Sequence, residues 1–141
     1  MSSFSIFDIA GQGMSAQNIR LNAIASNIAN AESVGNSESE TFKAKYPVFA
    51  PVNVNVDGET GENSIARGVK VVGMVHGKEP VQMNYDPSNP KADENGFVYI
   101  SNVNVVQEMA DMISASRSFQ MNVQLLNTGK ELMQHALNLG K

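Results

Sequence analysis

All five prolines, Pro47, Pro51, Pro80, Pro87 and Pro90, lie in the middle of the chain. Proline lacks a backbone donor and clashes with the preceding helical turn, at a cost of about 3 kcal/mol in a helix interior. A chain of 141 residues divided in this way can hold an uninterrupted helix at each end, around a centre that cannot be helical throughout. Charge divides similarly. Residues 1–31 hold only Asp8 and Arg20, and residues 104–141 hold three charges of each sign. The middle therefore carries the whole net charge of -4.

The ends have helical periodicity. Phe7, Ala10, Met14, Gln17, Leu21, Ile24, Ile28 and Ala31 follow a 3-4-3-4 spacing, which is a heptad seam. Near the C-terminus the seam runs Val105, Met109, Met112, Ser116, Phe119, Val123, Leu126, Lys130, Met133, Leu137. At about 1.5 Å per residue, the helices would be roughly 40 and 50 Å long. The middle reads as strand. VNVNV (Val52 to Val56) alternates and is followed by the turn cluster DGETGE; GVKVVGMV (Gly68 to Val75) and GFVYI (Gly96 to Ile100) are further β-rich runs. The polar stretch 32–46 has no clear period and reads as a loop. The expected class is α+β: long N- and C-terminal helices paired as a coiled coil, with a small β-rich middle domain. The expected segments are a helix over 1–31, a polar loop over 32–46, a β-rich domain with a turn-rich linker over 47–103, and a helix over 104–141.

These helices flank their seams with amides instead of the Glu and Lys of a water-facing coiled coil. Examples are Asn18, Asn22, Asn27 and Asn30 in the first and Gln120, Asn122, Gln124 and Asn127 in the last. Ala115, Asn122, Gly129 and Ala136 recur every seven residues, a row that permits close backbone approach. The pattern suits helices with several helical neighbours. A two-helix hairpin inside one monomer, with the small rows wet, fits it too.

The composition excludes much chemistry. With no cysteine, disulfides, thiolate nucleophiles and zinc-cysteine sites are absent. No basic cluster offsets the acidic balance, which argues against nucleic acid. The N-terminus has no basic n-region and sets Asp8 inside its only apolar segment, so no cleaved secretory signal is expected. No apolar run approaches the roughly 18 residues that span a bilayer, so no direct membrane insertion is expected. The acidic stretch DPSNPKADENG fails as a calcium loop: started at Asp86 the sixth position is Lys91, and started at Asp93 it is Val98, where glycine is required. His76 and His135 are the only histidines, and no nucleophile elbow, phosphate loop or H-E-x-x-H is present. The expectation is no enzyme, no cofactor and no metal. Read as punctuation, the stretch turns at Asp86-Pro87, Asn89-Pro90 and Asn95-Gly96. Asn102 or Asn104 would then cap the final helix, with Glu108 near its positive end.

SNIANAES (Ser26 to Ser33) resembles the Asn-x-x-Asn signature of bacterial flagellar rod and hook axial proteins. From Tyr85 onward, YDPSNP…DENGFVYISNVNVVQEMADMISASRSFQMNVQLLNTGKEL resembles the C-terminal half of their proximal rod members. With the N-terminal FDIAGQGMSAQ, the likeness covers both ends and about two-thirds of the chain. It departs after NIANA, where ESVGNSESETF stands in place of a Thr and a Pro- or Gly-containing segment. The resemblance implies a non-enzymatic subunit of the flagellar basal-body rod, whose terminal helices pair and line an inner tube while the middle domain faces outward. It implies export through the flagellar type III apparatus and location in the rod across the periplasm. Implied partners are copies of itself, the rod proteins FlgB, FlgF and FlgG, and the membrane-ring adaptor FliE. The helix-packing and subunit-interface residues would be Phe7, Met14, Leu21, Ile24, Asn27, Ile28 and Asn30 on the first helix. On the last they would be Met109, Met112, Ala115, Phe119, Asn122, Val123, Leu126, Met133 and Leu137. A different rod or hook axial component is the alternative within the family, and a soluble coiled-coil adaptor or secreted effector that never polymerises is the alternative outside it.

Overall fold

A computed structural model of the chain describes residues 3–53 and 67–139. In chain order the elements are α1 (Ser3–Ala29), β1 (Val34–Gly35), β2 (Lys45–Asn53), β3 (Arg67–His76), β4 (Gln82–Tyr85), β5 (Phe97–Ile100) and α2 (Val105–Leu139). The chain is α+β, with a long helix at either end and a small β-rich middle. Part of the VNVNV run and the DGETGE cluster lie outside the described residues.

Two strands are short and were not expected. β1 falls within the polar stretch 32–46, and β4 follows Pro80; both pair antiparallel with β5, in the order β1-β5-β4. β2 begins at Lys45, seven residues before the alternating run, and contains Pro47 and Pro51. Among the described residues its sheet has two strands, β2 and β3. Each strand of a two-stranded sheet has a free edge, where proline can sit without removing a ladder bond.

The chain divides into two compact units. One comprises Met1–Arg20, Val48–Gly73 and Ser114–Lys141; the other comprises Leu21–Pro47 and Met74–Ile113. In the first unit the beginning of α1 and the end of α2 run antiparallel. A methyl group built on Gly129 would stand 3.6 Å from the Phe7 ring, and one on Gly13 would stand 2.9 Å from the Asn122 amide. Ala10, Ala16, Ala115 and Gly129 are buried. Glycine costs about 1 kcal/mol against alanine in a helix; at Gly13 the close approach of Asn122 uses the space that a side chain would fill.

The second unit has a small core of Ala31, Ala44 and Val103, with Phe42 and Val105 packed against it. Val98 is buried on the inward side of β5. The register pairs Met83 with Tyr99 and Tyr85 with Phe97, which sets these four on the opposite face. There Tyr85 and Phe97 meet edge-to-face at 5.3 Å. The β4–β5 connection is closed by its own side chains. Asp93 Oδ1 accepts from the Asn95 and Phe97 N–H groups at 2.9 and 2.8 Å, and Asn89 Oδ1 accepts from Lys91 N–H at 3.0 Å. Gly96 supplies the left-handed turn with φ of 81°.

Candidate assembly interface

Asn27, in the Asn-x-x-Asn signature, is wholly buried. Its Oδ1 accepts from Lys45 N–H at 2.9 Å and its Nδ2 donates to Lys45 C=O at 3.0 Å. The side-chain amide thus takes the place of a neighbouring strand and fastens the start of β2 to α1. The second signature residue behaves differently. Asn30 Nδ2 donates to Ser26 C=O at 2.8 Å, a carbonyl in the last turn of α1 that also accepts from Asn30 N–H at 3.2 Å.

The start of α2 is fixed by three further polar residues. Asn104 is the N-cap, its Oδ1 accepting from Val106 and Gln107 N–H at 3.1 and 3.2 Å. Asn102 works laterally: Oδ1 accepts from Ala44 N–H at 2.8 Å and Nδ2 donates to Glu79 C=O at 2.7 Å. Glu108, in the first turn of α2, is 1% exposed. The Tyr46 hydroxyl is hydrogen-bonded to Glu108, and the helix N-terminus favours negative charge there. Glu108 Oε2 is buried without a protein partner. Burial pushes the Tyr46 hydroxyl up to about 12, helped by the charge of Glu108, the hydrogen bond to it, and the charges of Glu79 and Asp111.

Two acids of the 86–97 stretch, Asp86 and Asp93, accept hydrogen bonds from within it. Ser88 Oγ donates to Asp86 Oδ1 at 2.7 Å, and this bond holds the Asp86 carboxyl below its ordinary value. Lys91 Nζ reaches Val34 C=O at 2.9 Å. Among the described residues no group of three or more His, Asp or Glu is placed to hold a metal ion. No described helix is long and apolar enough to cross a membrane.

The expected interface residues are spread over several environments. Ile24, Asn27 and Ala115 are buried. Phe7, Met14, Leu21, Ile28, Asn30, Met112, Phe119, Asn122, Leu126 and Met133 are half-buried, and Met109, Val123 and Leu137 are exposed. In the first unit the structure brings Phe7 to Gly129, and Asn122 to Gly13. Asn122 also donates from Nδ2 to Ser118 C=O at 3.0 Å. Beside these contacts a groove of about 480 Å³ is lined by Ile6, Gly129, Leu132, Met133, Ala136 and Leu137. A crevice of about 290 Å³ lies between Gln12, Ser15, Ala16 and Ile19 of α1 and Val69, Lys70 and Val71 of β3.

Sequence reasoning missed the Tyr46–Glu108 contact and the lateral role of Asn102. It also missed four apolar side chains toward the C-terminal end of α2 that remain exposed, Met121, Leu125, Leu132 and Leu139. The first two depend on partners far along the chain, which no local pattern announces. The last has a signal, a second heptad spacing offset by two residues from the expected seam.

Comparison with known proteins agrees with this architecture at both ends. Residues 7–35 match the family described as flagella basal body rod protein, and residues 94–139 match the flagellar basal body rod FlgEFG protein C-terminal family. The flagellar basal-body rod protein FlgC of Salmonella typhimurium is 44% identical over 141 residues, covering all of both chains. The protein of that name from Escherichia coli O6:H1 is 45% identical over the same span. In Borreliella burgdorferi it is 34% identical, with 97% of each chain covered.

Proposed function

Because the chain belongs to the flagellar basal-body rod protein family, we propose that it is a structural subunit of the rod that polymerises through its terminal helices. The polymer would form the torque-transmitting shaft and the wall of the export channel. One observation supports this above others. The likeness to rod proteins extends over the whole length of both chains, while α2 leaves apolar side chains facing solvent. A helix of this kind is completed by neighbours.

In this role the chain sits in the flagellar basal body, within the part of the rod that crosses the periplasm, and reaches it through the flagellum's own type III export apparatus. Its neighbours are copies of itself, the rod proteins FlgB, FlgF and FlgG, and the adaptor FliE. The relatives are structural rod proteins, and no catalytic step is assigned to this chain. Resistance to torque comes from each helix having several neighbours, so that shear must break many contacts together.

Deleting the gene and imaging the cell envelope by electron cryotomography tests the role. Basal bodies stalled at the membrane ring, with export machinery present and no rod, are the expected result. Complete motors in swimming cells would overturn it. So would a chain that is found only as a free monomer or dimer outside the basal body.

A further inference from the structure

We propose that Asn95 is a site of spontaneous covalent modification, conversion of its side-chain amide to aspartate and isoaspartate, and that hydrogen bonds centred on Asp93 hold the reaction off while the chain is folded. This chemistry does not depend on the rod-subunit role. Of the asparagines in the sequence, Asn95 alone is followed by glycine. The reaction is attack on a side-chain amide by the backbone nitrogen of the next residue, and a glycine, having no Cβ, leaves that nitrogen uncrowded. Asn95 is exposed in the β4–β5 connection, where water reaches its amide.

The step needs no partner but water. The Gly96 nitrogen bonds to Asn95 Cγ and gives up its proton, and the side-chain amide nitrogen leaves with that proton as ammonia. A cyclic imide remains, which water opens on either side of the nitrogen. Cleavage of the new bond gives aspartate. Cleavage of the original peptide bond gives isoaspartate, in which the backbone runs through Cγ and is one carbon longer. The added carbon falls within a turn where Asp86 N–H donates to Gly96 C=O at 3.0 Å and Asp93 N–H donates to Phe97 C=O at 2.8 Å, so the isomer loses this closure.

The turn itself demands the residue that makes Asn95 reactive. At Gly96 φ is 81°, and an added methyl would stand 2.9 Å from the Tyr85 ring. Protection therefore comes from hydrogen bonds. The attacking nitrogen is engaged: Gly96 N–H donates to Asp93 C=O at 3.0 Å. On either side of it, Asn95 N–H and Phe97 N–H donate to Asp93 Oδ1 at 2.9 and 2.8 Å. To attack, the nitrogen must leave its acceptor and rotate toward Cγ, while the peptide units before and after it are pinned to the same residue. Conversion of the folded chain thus proceeds through an opened turn, and its rate follows the population of that opening.

Incubating the purified full chain in mildly alkaline buffer, native and in guanidinium chloride, tests both parts. Peptide mapping by mass spectrometry follows conversion at Asn95. Conversion should be about tenfold or more faster in denaturant than in the native chain. Equal rates would overturn the protection, and an unchanged Asn95 in denaturant would overturn the site. Asp93→Ala removes the two bonds to Oδ1. One hydrogen bond is worth up to about tenfold in an equilibrium constant, and these two lie on the surface, so native Asp93→Ala should convert about tenfold faster than wild type. A wild-type rate in that variant, with its circular dichroism unchanged, would refute the role of Asp93. If Asp93→Ala does not fold, the comparison of native and denatured wild type still decides.

Discussion

Replacing Asn27 with Ala tests the join between α1 and β2. The substitution removes two hydrogen bonds, to Lys45 N–H at 2.9 Å and to Lys45 C=O at 3.0 Å, from a side chain that is wholly buried. A typical intramolecular hydrogen bond contributes about 0.5–1.5 kcal/mol net, so losing both costs roughly 2 kcal/mol if water reaches the freed backbone groups. That is about a thirtyfold change in an equilibrium constant. Hydrogen exchange of the purified chain reads it at the right place, because the Lys45 amide is itself the donor. Its exchange should accelerate about thirtyfold in Asn27→Ala. Asn30→Ala is the control: its one bond lies at the end of α1 on an exposed contact, so the Lys45 amide should exchange as in wild type. If Lys45 exchanges equally slowly in Asn27→Ala, the amide does not hold β2 and the assignment is wrong.

Two further perturbations follow from the second unit. The Tyr46 hydroxyl is raised from 10.0 to about 12 in the folded chain, so between those values the unfolded chain has lost a proton that the folded chain keeps, and stability falls as pH rises. Stability should be fully present below about pH 10 and decline toward pH 12 more steeply in wild type than in Tyr46→Phe, as read by urea unfolding at each pH; equal slopes would refute the coupling. At Gly96, φ is 81° and an added methyl would stand 2.9 Å from the Tyr85 ring and 3.2 Å from Pro87. Gly96→Ala should therefore cost about 1–2 kcal/mol from the left-handed backbone alone, visible as a lower thermal midpoint, and an unchanged midpoint would count against it.

The α+β architecture was legible because its two strongest signals are local. Proline confined to residues 47–90 bounds the helices, and heptad spacing marks their apolar sides. The short strands were not legible. β1 has two residues and β4 four; both exist because β5 pairs with them, and a partner elsewhere in the chain leaves no periodicity in so short a run. The contact row of α2 was only half visible. Hydrophobicity points to Val123 and Leu137, which are exposed, whereas Gly129 and Asn122 lie against α1. Small and polar residues set the closest approach of two backbones but contribute little to an apolar pattern. Glu108 was expected at the positive end of α2, and it stands there; its burial under Tyr46 depends on a residue 62 positions earlier in the chain.

The largest fully buried side chains among the described residues are Glu108, Asn27 and Ser101, all polar. Large apolar side chains such as Met83, Met121, Leu132 and Leu139 remain exposed. A self-sufficient globule distributes them the other way round. Buried polar groups tolerate few alternative partners, because an unmatched one costs about 1–3 kcal/mol, so they fix the geometry of the single chain. Exposed apolar groups are indifferent to that geometry and gain only when another surface covers them. The two sets should therefore separate by phenotype. Changes at Asn27 or Glu108 should yield a chain that is loosened at the start of β2 or of α2 before it meets any partner. Changes at Leu132 or Leu139 should yield a chain that folds and is then left out of the rod. Leu132→Glu and Asn27→Ala, compared for protease resistance and for recovery in basal bodies, should fall on opposite sides of that division. If both lose the same property, the burial pattern does not divide folding from assembly.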